Sequence, residues 1–154
     1  MSVVLEKIIQ RRNPHFTLHT KISIATLLSF FWINLWSLIR GSKLLLVGKN
    51  PRMAILGSHV KFFNSSKIKF GKYLKLGDHV YISALGKEGV FFGNNVGIGA
   101  YSRVVVSTTF DNPGKYIKIG NNVGIGEFAY LGGGGGLEIG DDCIIGQYFS
   151  CHPE

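Results

Sequence analysis

The chain has 154 residues, carries a formal net charge of +8 and is 45% hydrophobic. Disordered proteins are poor in hydrophobic residues, so this composition excludes a largely disordered chain. Glycine is abundant, with 21 residues, but only 4 prolines accompany it, which excludes a collagen-like repeat. The two cysteines are too few for a disulfide-stapled scaffold. We therefore expect one domain with a hydrophobic core, rich in β-structure and tight turns.

The positive charge is concentrated in the N-terminal third. Residues 1–52 contain eight basic residues and one acidic residue, whereas residues 53–154 contain nine basic and eight acidic residues. A nucleic-acid-binding protein more often spreads lysine and arginine over its folded face, so we expect no nucleic-acid partner. Because the charge lies beside a hydrophobic segment, an anionic membrane surface is the better candidate.

That hydrophobic segment, residues 22–39, has no formal charge and lies between Lys21 and Arg40. It predicts a helix over about 22–40, within an N-terminal segment of residues 1–50. Its polar side chains would share one stripe of the helix, which is typical of a helix lying in the membrane interface. Two alternatives remain open: a membrane-spanning helix, since the length is near the lower limit of about 17–25 residues, and a helix that covers one end of the β-domain. The polar residues are Ser23, Thr26, Ser29, Asn34 and Ser37.

A six-residue repeat dominates residues 51–154. Each unit has a bulky apolar residue in first place, usually glycine in second place and a small or apolar residue in fifth place, as in IGNNVGIGEFAYLGG from Ile119 and IGDDCIIGQYFSCH from Ile139. The bulky residues form four sets of three, spaced six and six. They are Phe70, Leu76 and Ile82; Phe92, Ile98 and Val104; Ile119, Ile125 and Leu131; and Ile139, Ile145 and Cys151. A weaker unit, LGSHVK, begins at Leu56.

This period predicts an all-β solenoid whose coils each contain three short parallel strands. The first-place residue would point inward and stack on its equivalent in the next coil, and the fifth-place residue would also point inward. Glycine in second place would allow tight corners. The extra residues between sets follow the third unit of each coil, so we expect loops, and with them the function, at one edge.

The repeats resemble those of the hexapeptide-repeat acyltransferases, and the resemblance covers residues 54–154. It implies a left-handed parallel β-helix and transfer of an acyl group from acyl-CoA. The basic, apolar N-terminal segment and the ending SCHPE are most similar to the bacterial polysaccharide and serine-acetyltransferase-like O-acetyltransferases. The resemblance therefore implies acetyl-CoA as co-substrate, a saccharide hydroxyl as acceptor, a homotrimer, and a cytoplasmic location at the inner face of the membrane.

His152 is the strongest candidate for a catalytic residue. It occupies second place in its unit, where other coils have Ser83, Val105 and Gly132. In the family that the repeats resemble, a histidine followed by proline at this edge is the general base. An imidazole has a pKa near 6.5 and suits removal of a hydroxyl proton at neutral pH. The alternative is an exposed loop histidine.

The other candidate residues lie close to His152 in sequence or in register. Glu154 would orient the imidazole, or would simply be solvated. Gly132 lies one coil below His152, and Gly132 and Gly133 would leave room for a bulky acceptor, although the run is also a plausible flexible insertion. Asp111, in the longest insertion, would reach the site of a neighbouring subunit, unless Asn112 and the residues after it form a plain turn.

Other features predict structure rather than chemistry. His59 and His79 occupy the fourth place of their units, where we expect exposed side chains, and Cys143 and Cys151 occupy inward positions. No spacing of histidines or cysteines predicts a metal site.

Members of the family continue with further coils, so we expect a fragment or a truncated product whose activity alone is doubtful. The competing function is a non-catalytic, membrane-docked scaffold or an inactive paralogue.

Overall fold

The computed structural model describes residues 7, 10, 17 and 23–153. Helix α1 spans Ile24–Gly41, and 3₁₀-helices follow at Ser42–Val47 and Ser65–Lys67. The hydroxyl of Ser23 accepts a hydrogen bond from the backbone N–H of Thr26, which caps the first turn of α1. The predicted helix is therefore confirmed from residue 24 onward. It ends one residue later than expected, and the sequence did not predict the 3₁₀ turn that follows.

Contacts divide the chain into two compact units, Met1–Asn34 and Leu35–Glu154, so the boundary falls inside α1. Within the second unit, Ser37 is buried and accepts a hydrogen bond from Arg40, at 2.8 Å. The Nε atom of Arg40 donates to the carbonyl oxygen of Leu56, at 2.9 Å. The end of α1 is thus attached to the β-domain through Arg40, which also bonds to Ser37 of the predicted stripe, whereas Trp36 and Ile39 are exposed.

Fourteen short strands follow in the described residues. They are β1 (Ile55–Leu56), β2 (Lys61–Phe63), β3 (Ile68–Phe70), β4 (Lys75–Leu76), β5 (Tyr81–Ser83), β6 (Gly86–Phe92), β7 (Gly97–Ile98), β8 (Arg103–Val105), β9 (Gly114–Ile119), β10 (Gly124–Ile125), β11 (Tyr130–Gly132), β12 (Leu137–Ile139), β13 (Ile144–Ile145) and β14 (Ser150–Cys151). Their pairing is parallel throughout.

The strands form three sheets that the chain enters in turn. The first sheet has the order β1-β4-β7-β10-β13, the second β2-β5-β8-β11-β14 and the third β3-β6-β9-β12. Every third strand therefore returns to the same sheet, one coil further along, which fits a parallel β-helix. The predicted parallel strands, three to a coil, are confirmed.

The register confirms that the first-place residues stack. In the second sheet, Phe62 pairs with Ile82, Ile82 with Val104, Val104 with Leu131 and Leu131 with Cys151. The first sheet stacks Leu56, Leu76, Ile98, Ile125 and Ile145, so the weak unit at Leu56 belongs to the array. Phe70, Phe92, Ile119 and Ile139 stack in the third sheet. These columns form the hydrophobic core, together with fifth-place residues such as Val80 and Val96.

The expected reason for the second-place glycines is wrong. None of these glycines has a positive φ; the left-handed backbone conformation belongs to fourth-place residues such as His79, at 57°, and Tyr101, at 58°. The N–H of Tyr101 donates to the carbonyl oxygen of Asp78 one coil away, which offsets the cost of that conformation. The glycines are needed for close approach instead, because a Cβ on Gly99 would lie 2.4 Å from the backbone N of Glu127.

Candidate active site

Strand β14 places Ser150 and His152 on the same outward face of the second sheet, because alternate residues of a strand point the same way. Cys151, between them, is half-buried and packs on Leu131 in the register of β11 and β14. The same register pairs Ser150 with Tyr130. His152 therefore lies at the predicted loop-bearing edge, and its side chain is exposed.

Two side chains hold the imidazole of His152. Its Nε2 lies 2.8 Å from the hydroxyl oxygen of Ser150. Its ring stacks on the ring of Tyr130, with 4.5 Å between the ring centroids and 16° between the planes. A stacked aromatic pair contributes about 0.5–1.5 kcal/mol beyond its buried area, so the ring has one preferred orientation although it is exposed.

This arrangement allows the imidazole to act as a base. When Nε2 carries the proton and donates it to the Ser150 oxygen, the lone pair of Nδ1 is directed away from that contact. A hydroxyl group brought to Nδ1 within hydrogen-bonding distance could then lose its proton to the ring. The ring is thus held in place and its side chain is exposed.

The run of five glycines at residues 132–136 supports Pro153, the residue after His152. The N–H of Gly135 donates to the carbonyl oxygen of Pro153, at 2.8 Å. A Cβ on Gly134 would lie 2.9 Å from the same oxygen, so a side chain at this position would displace Pro153. The glycine run after β11 therefore packs against the chain segment that carries His152 and supports it.

The predicted register of Gly132 below His152 is also observed. A Cβ on Gly132 would lie 3.0 Å from the carbonyl oxygen of Cys151 and 3.4 Å from the Cα of His152. Gly132 and Gly133 are both buried, and a Cβ on Gly133 would lie 2.7 Å from the side chain of Ile117. The space beside these two glycines is thus filled by the chain itself, and their contact with an acceptor stays a prediction.

Asp111 is exposed, and its carboxylate accepts a hydrogen bond from the backbone N–H of Asn112, at 3.0 Å. The Ser107 hydroxyl closes the same loop by donating to the carbonyl oxygen of Asn112. These bonds match the plain turn that the sequence allowed, and the role of Asp111 across a subunit boundary stays a prediction. Glu154 lies outside the described residues.

Sequence analysis missed Tyr130 and Ser150, the two side chains that hold the imidazole. Both occupy sixth place in their units and begin a second-sheet strand, and the repeat pattern described above assigns no role to that place. A signal was present, because Tyr81, Arg103, Tyr130 and Ser150 recur with the coil spacing of the inward residues. Aligning the outward places by coil would have brought them into one column.

The resemblance of this chain to known proteins is distant. No protein-family model matches the chain, and no curated protein does. Among solved structures, it is similar to serine acetyltransferase isoform 3 from Entamoeba histolytica, determined in complex with cysteine. The identity is 22% and the TM-score 0.37, over 68% of this chain and 35% of that one. This chain thus spans about a third of the length of that protein.

Among the described residues, neither the cysteines nor a metal-binding cluster adds a further site. Cys143 and Cys151 are free thiols and half-buried. Across residues 23–153 and the three other described positions, no group of three histidine, cysteine, aspartate or glutamate side chains is arranged to hold a metal ion.

Proposed function

We propose that this chain is an acyl-CoA-dependent O-acyltransferase built on a left-handed parallel β-helix. It would transfer an acetyl group from acetyl-CoA to a hydroxyl group of a saccharide, with His152 as the general base. The observation that supports this most is the exposed imidazole at the edge of the second sheet, held by the Ser150 hydroxyl and the Tyr130 ring.

The proposed reaction needs one proton transfer at His152. The saccharide hydroxyl attacks the carbonyl carbon of the thioester as its proton passes to Nδ1 of His152. The new C–O bond forms, the C–S bond breaks, and the coenzyme leaves as a thiol after receiving the proton from the imidazolium. General-base catalysis of this kind contributes about 10²–10⁴-fold.

Steady-state assays of His152→Ala test the proposal, with release of the coenzyme A thiol as the signal and a panel of saccharides as acceptors. We expect acetyl transfer to fall by at least about 100-fold. Ile144→Ala is the matched control, because it removes an exposed side chain from the same coil on the first sheet, away from His152. Unchanged transfer by His152→Ala would remove the proposed mechanism.

The remaining site residues belong to the same proposal. Glu154 would orient the imidazole, and Asp111 would reach the acceptor of a neighbouring subunit in a homotrimer. Gly132 and Gly133, which lack side chains, would leave room for the acceptor. The oligomeric state is measured by light scattering after gel filtration, and a monomer at assay concentration would exclude the role of Asp111.

We further propose that the protein binds the inner, cytoplasmic face of a membrane. Helix α1 and the 3₁₀ turn after it form a stretch, Ile24–Val47, that by length and composition alone could also cross a membrane. In the second unit the polar side of α1 meets the protein, while Trp36, Leu45 and Leu46 are exposed by 46%, 62% and 86%. A cavity of about 260 Å³ lined by Lys49, Arg52 and Lys69 would suit anionic headgroups.

The same exposed apolar residues favour a second candidate, a membrane-docked scaffold without catalytic activity. Calorimetry with acetyl-CoA separates the two candidates, because only the enzyme uses this compound as a co-substrate and is expected to bind it. Binding of acetyl-CoA together with membrane association would support the enzyme, and membrane association without such binding would support the scaffold.

A further inference from the structure

One column of outward side chains runs along the second sheet towards His152. Each strand contributes one residue in register, and they are Lys61, Tyr81, Arg103, Tyr130 and Ser150. Neighbouring strands in a sheet lie about 4.8 Å apart, so the column extends about 19 Å. Its charged and hydroxyl-bearing members are accessible, because Lys61, Arg103 and Ser150 are exposed and the tyrosines are half-buried.

The column forms the floor of a groove. On one side lies a ladder of stacked rings at the corner between the first and second sheets: His59, His79, Tyr101, Phe128 and Tyr148, with centroids 4.7, 4.9, 5.3 and 5.2 Å apart. On the other side, Ser83 and Val105 follow the inward residues of β5 and β8, yet each is only 3% exposed. The chain therefore covers the sheet beyond the column, at the corner that carries the insertions.

The far end of the groove is a cationic cavity of about 320 Å³. Its lining residues are His59, Lys61, His79, Val80, Tyr81 and Arg103. None of these described residues is acidic, and Asp78, which precedes His79, accepts a hydrogen bond from the backbone N–H of Ser58 at 2.6 Å. The guanidinium of Arg103 lies over the ring of Tyr81, 5.2 Å from its centroid, which holds its charge above the floor.

These groups suit a carboxylate-bearing sugar chain. A guanidinium binds a carboxylate through two parallel hydrogen bonds, and phenol and serine hydroxyls both donate to and accept from sugar hydroxyls. From Arg103 to Ser150 the column crosses two strand spacings, or about 10 Å, so a ligand that contacts both must be longer than one sugar ring. The ligand must also be linear, since the groups lie in a single row.

We infer that this groove binds a linear acidic oligosaccharide, with its carboxylates at Arg103 and Lys61 and the sugar to be acylated at His152. The inference rests on the proposed acyltransferase function and specifies its acceptor. Tyr81 and Tyr130 would contact the intervening sugar hydroxyls. The acceptor would be recognised mainly by the groove, and His152 would act on whichever unit reaches the end of the column.

Calorimetry with the intact chain tests this inference, using tetragalacturonic acid and its methyl ester as the matched neutral probe. We expect the acid to bind at least about tenfold more tightly than the ester. Arg103→Gln, which removes the charge and keeps a polar side chain, should weaken binding of the acid towards that of the ester. Lys75→Gln, on the exposed face of the first sheet, should leave it unchanged.

Several results would overturn the inference: equal binding of acid and ester, no binding of either probe, or normal binding by Arg103→Gln with the same thermal unfolding as the wild type. Acetyl-transfer assays of the wild type and His152→Ala, with the acid as acceptor, separate this inference from the proposed function, because calorimetry reports binding and these assays report transfer. Binding of the acid without His152-dependent acetyl transfer would support the groove as an acid-binding site and contradict the proposed acyltransferase function. His152-dependent transfer to a neutral sugar, without preference for the acid, would support the acyltransferase function and contradict the groove's specificity.

Discussion

The imidazole of His152 lies on the phenol ring of Tyr130, with ring centroids 4.5 Å apart and an angle of 16° between the planes. The two residues belong to neighbouring coils and meet because β14 pairs in register with β11. The position of the proposed base therefore depends on the stacking of coils as much as on its own loop.

Replacing Tyr130 with leucine removes the ring that orients His152. We expect kcat for acetyl transfer to fall about threefold to tenfold, in line with the energy of one aromatic pair, while KM for acetyl-CoA stays unchanged. Tyr130→Phe keeps the stack and should keep kcat. Steady-state kinetics of both variants check this prediction, and equal kcat values for Tyr130→Leu and the wild type would contradict it.

The contact between Ser150 and His152 predicts a tautomer. If Nε2–H donates to the Ser150 oxygen, the ¹⁵N NMR spectrum of the neutral ring should show the proton on Nε2. Ser150→Ala should lower the share of this tautomer and reduce kcat by up to about tenfold, the effect of one hydrogen bond. A wild-type ring protonated mainly on Nδ1 would contradict the proposed choice of Nδ1 as the base.

Gly97 and Gly99, on either side of Ile98, should respond differently to substitution by alanine. A Cβ on Gly99 would lie 2.4 Å from the backbone of the next coil, whereas a Cβ on Gly97 would meet nothing within 4 Å. We expect Gly99→Ala to lower the free energy of unfolding by about 1–3 kcal/mol and Gly97→Ala to change it little or to raise it slightly. Urea denaturation followed by circular dichroism measures both, and equal losses would contradict the close-approach explanation.

Asp141 should make stability depend on pH. The backbone N–H of Asn121, 2.6 Å from its carboxylate, and the Asn121 side chain together lower the pKa of Asp141 below its ordinary value. Because the folded-state pKa is the lower one, the ionised carboxylate stabilises the fold above the unfolded-state pKa of about 3.9. This contribution is lost as the pH falls through the folded-state value.

The comparison of Asp141→Asn with the wild type therefore depends on pH. The variant should be less stable than the wild type at pH 7, and the difference should shrink at pH 3. Thermal unfolding at both pH values measures it, with Asp111→Asn as a control for removing a carboxylate from a loop. A difference that stays the same at both pH values would show that the charge of Asp141 is not responsible.

Leu46 should contribute to membrane binding, because it is the most exposed apolar side chain of the 3₁₀ turn that follows α1. We expect Leu46→Asp to weaken binding to vesicles of phosphatidylglycerol and phosphatidylcholine by about tenfold or more, since it replaces apolar burial by a repelled charge. Phe110→Asp, 78% exposed in the β8–β9 loop, is the control. Vesicle flotation measures both, and equal binding by Leu46→Asp and the wild type would contradict the proposed membrane contact.

Much of the fold could be predicted because the repeat constrains the backbone directly. Period six with a bulky first residue places Phe70, Phe92, Ile119 and Ile139 in one column, and the structure pairs them in that way. The role of the second-place glycines could not be predicted, because their reason is the distance between coils. That distance arises only when the coils stack, so no single repeat predicts it.

The sequence by itself determined which residues point inward, where the insertions emerge, and that His152 lies exposed at the loop-bearing edge. Those features follow from alternation and period, which are local. Only the tertiary structure decided that Tyr130 and Ser150 hold the imidazole, and that Lys61, Tyr81 and Arg103 line one groove leading to it. Ser150 is only two positions from His152, but successive members of the column from Lys61 to Ser150 are separated by 20 or more positions, and parallel pairing between coils brings them together.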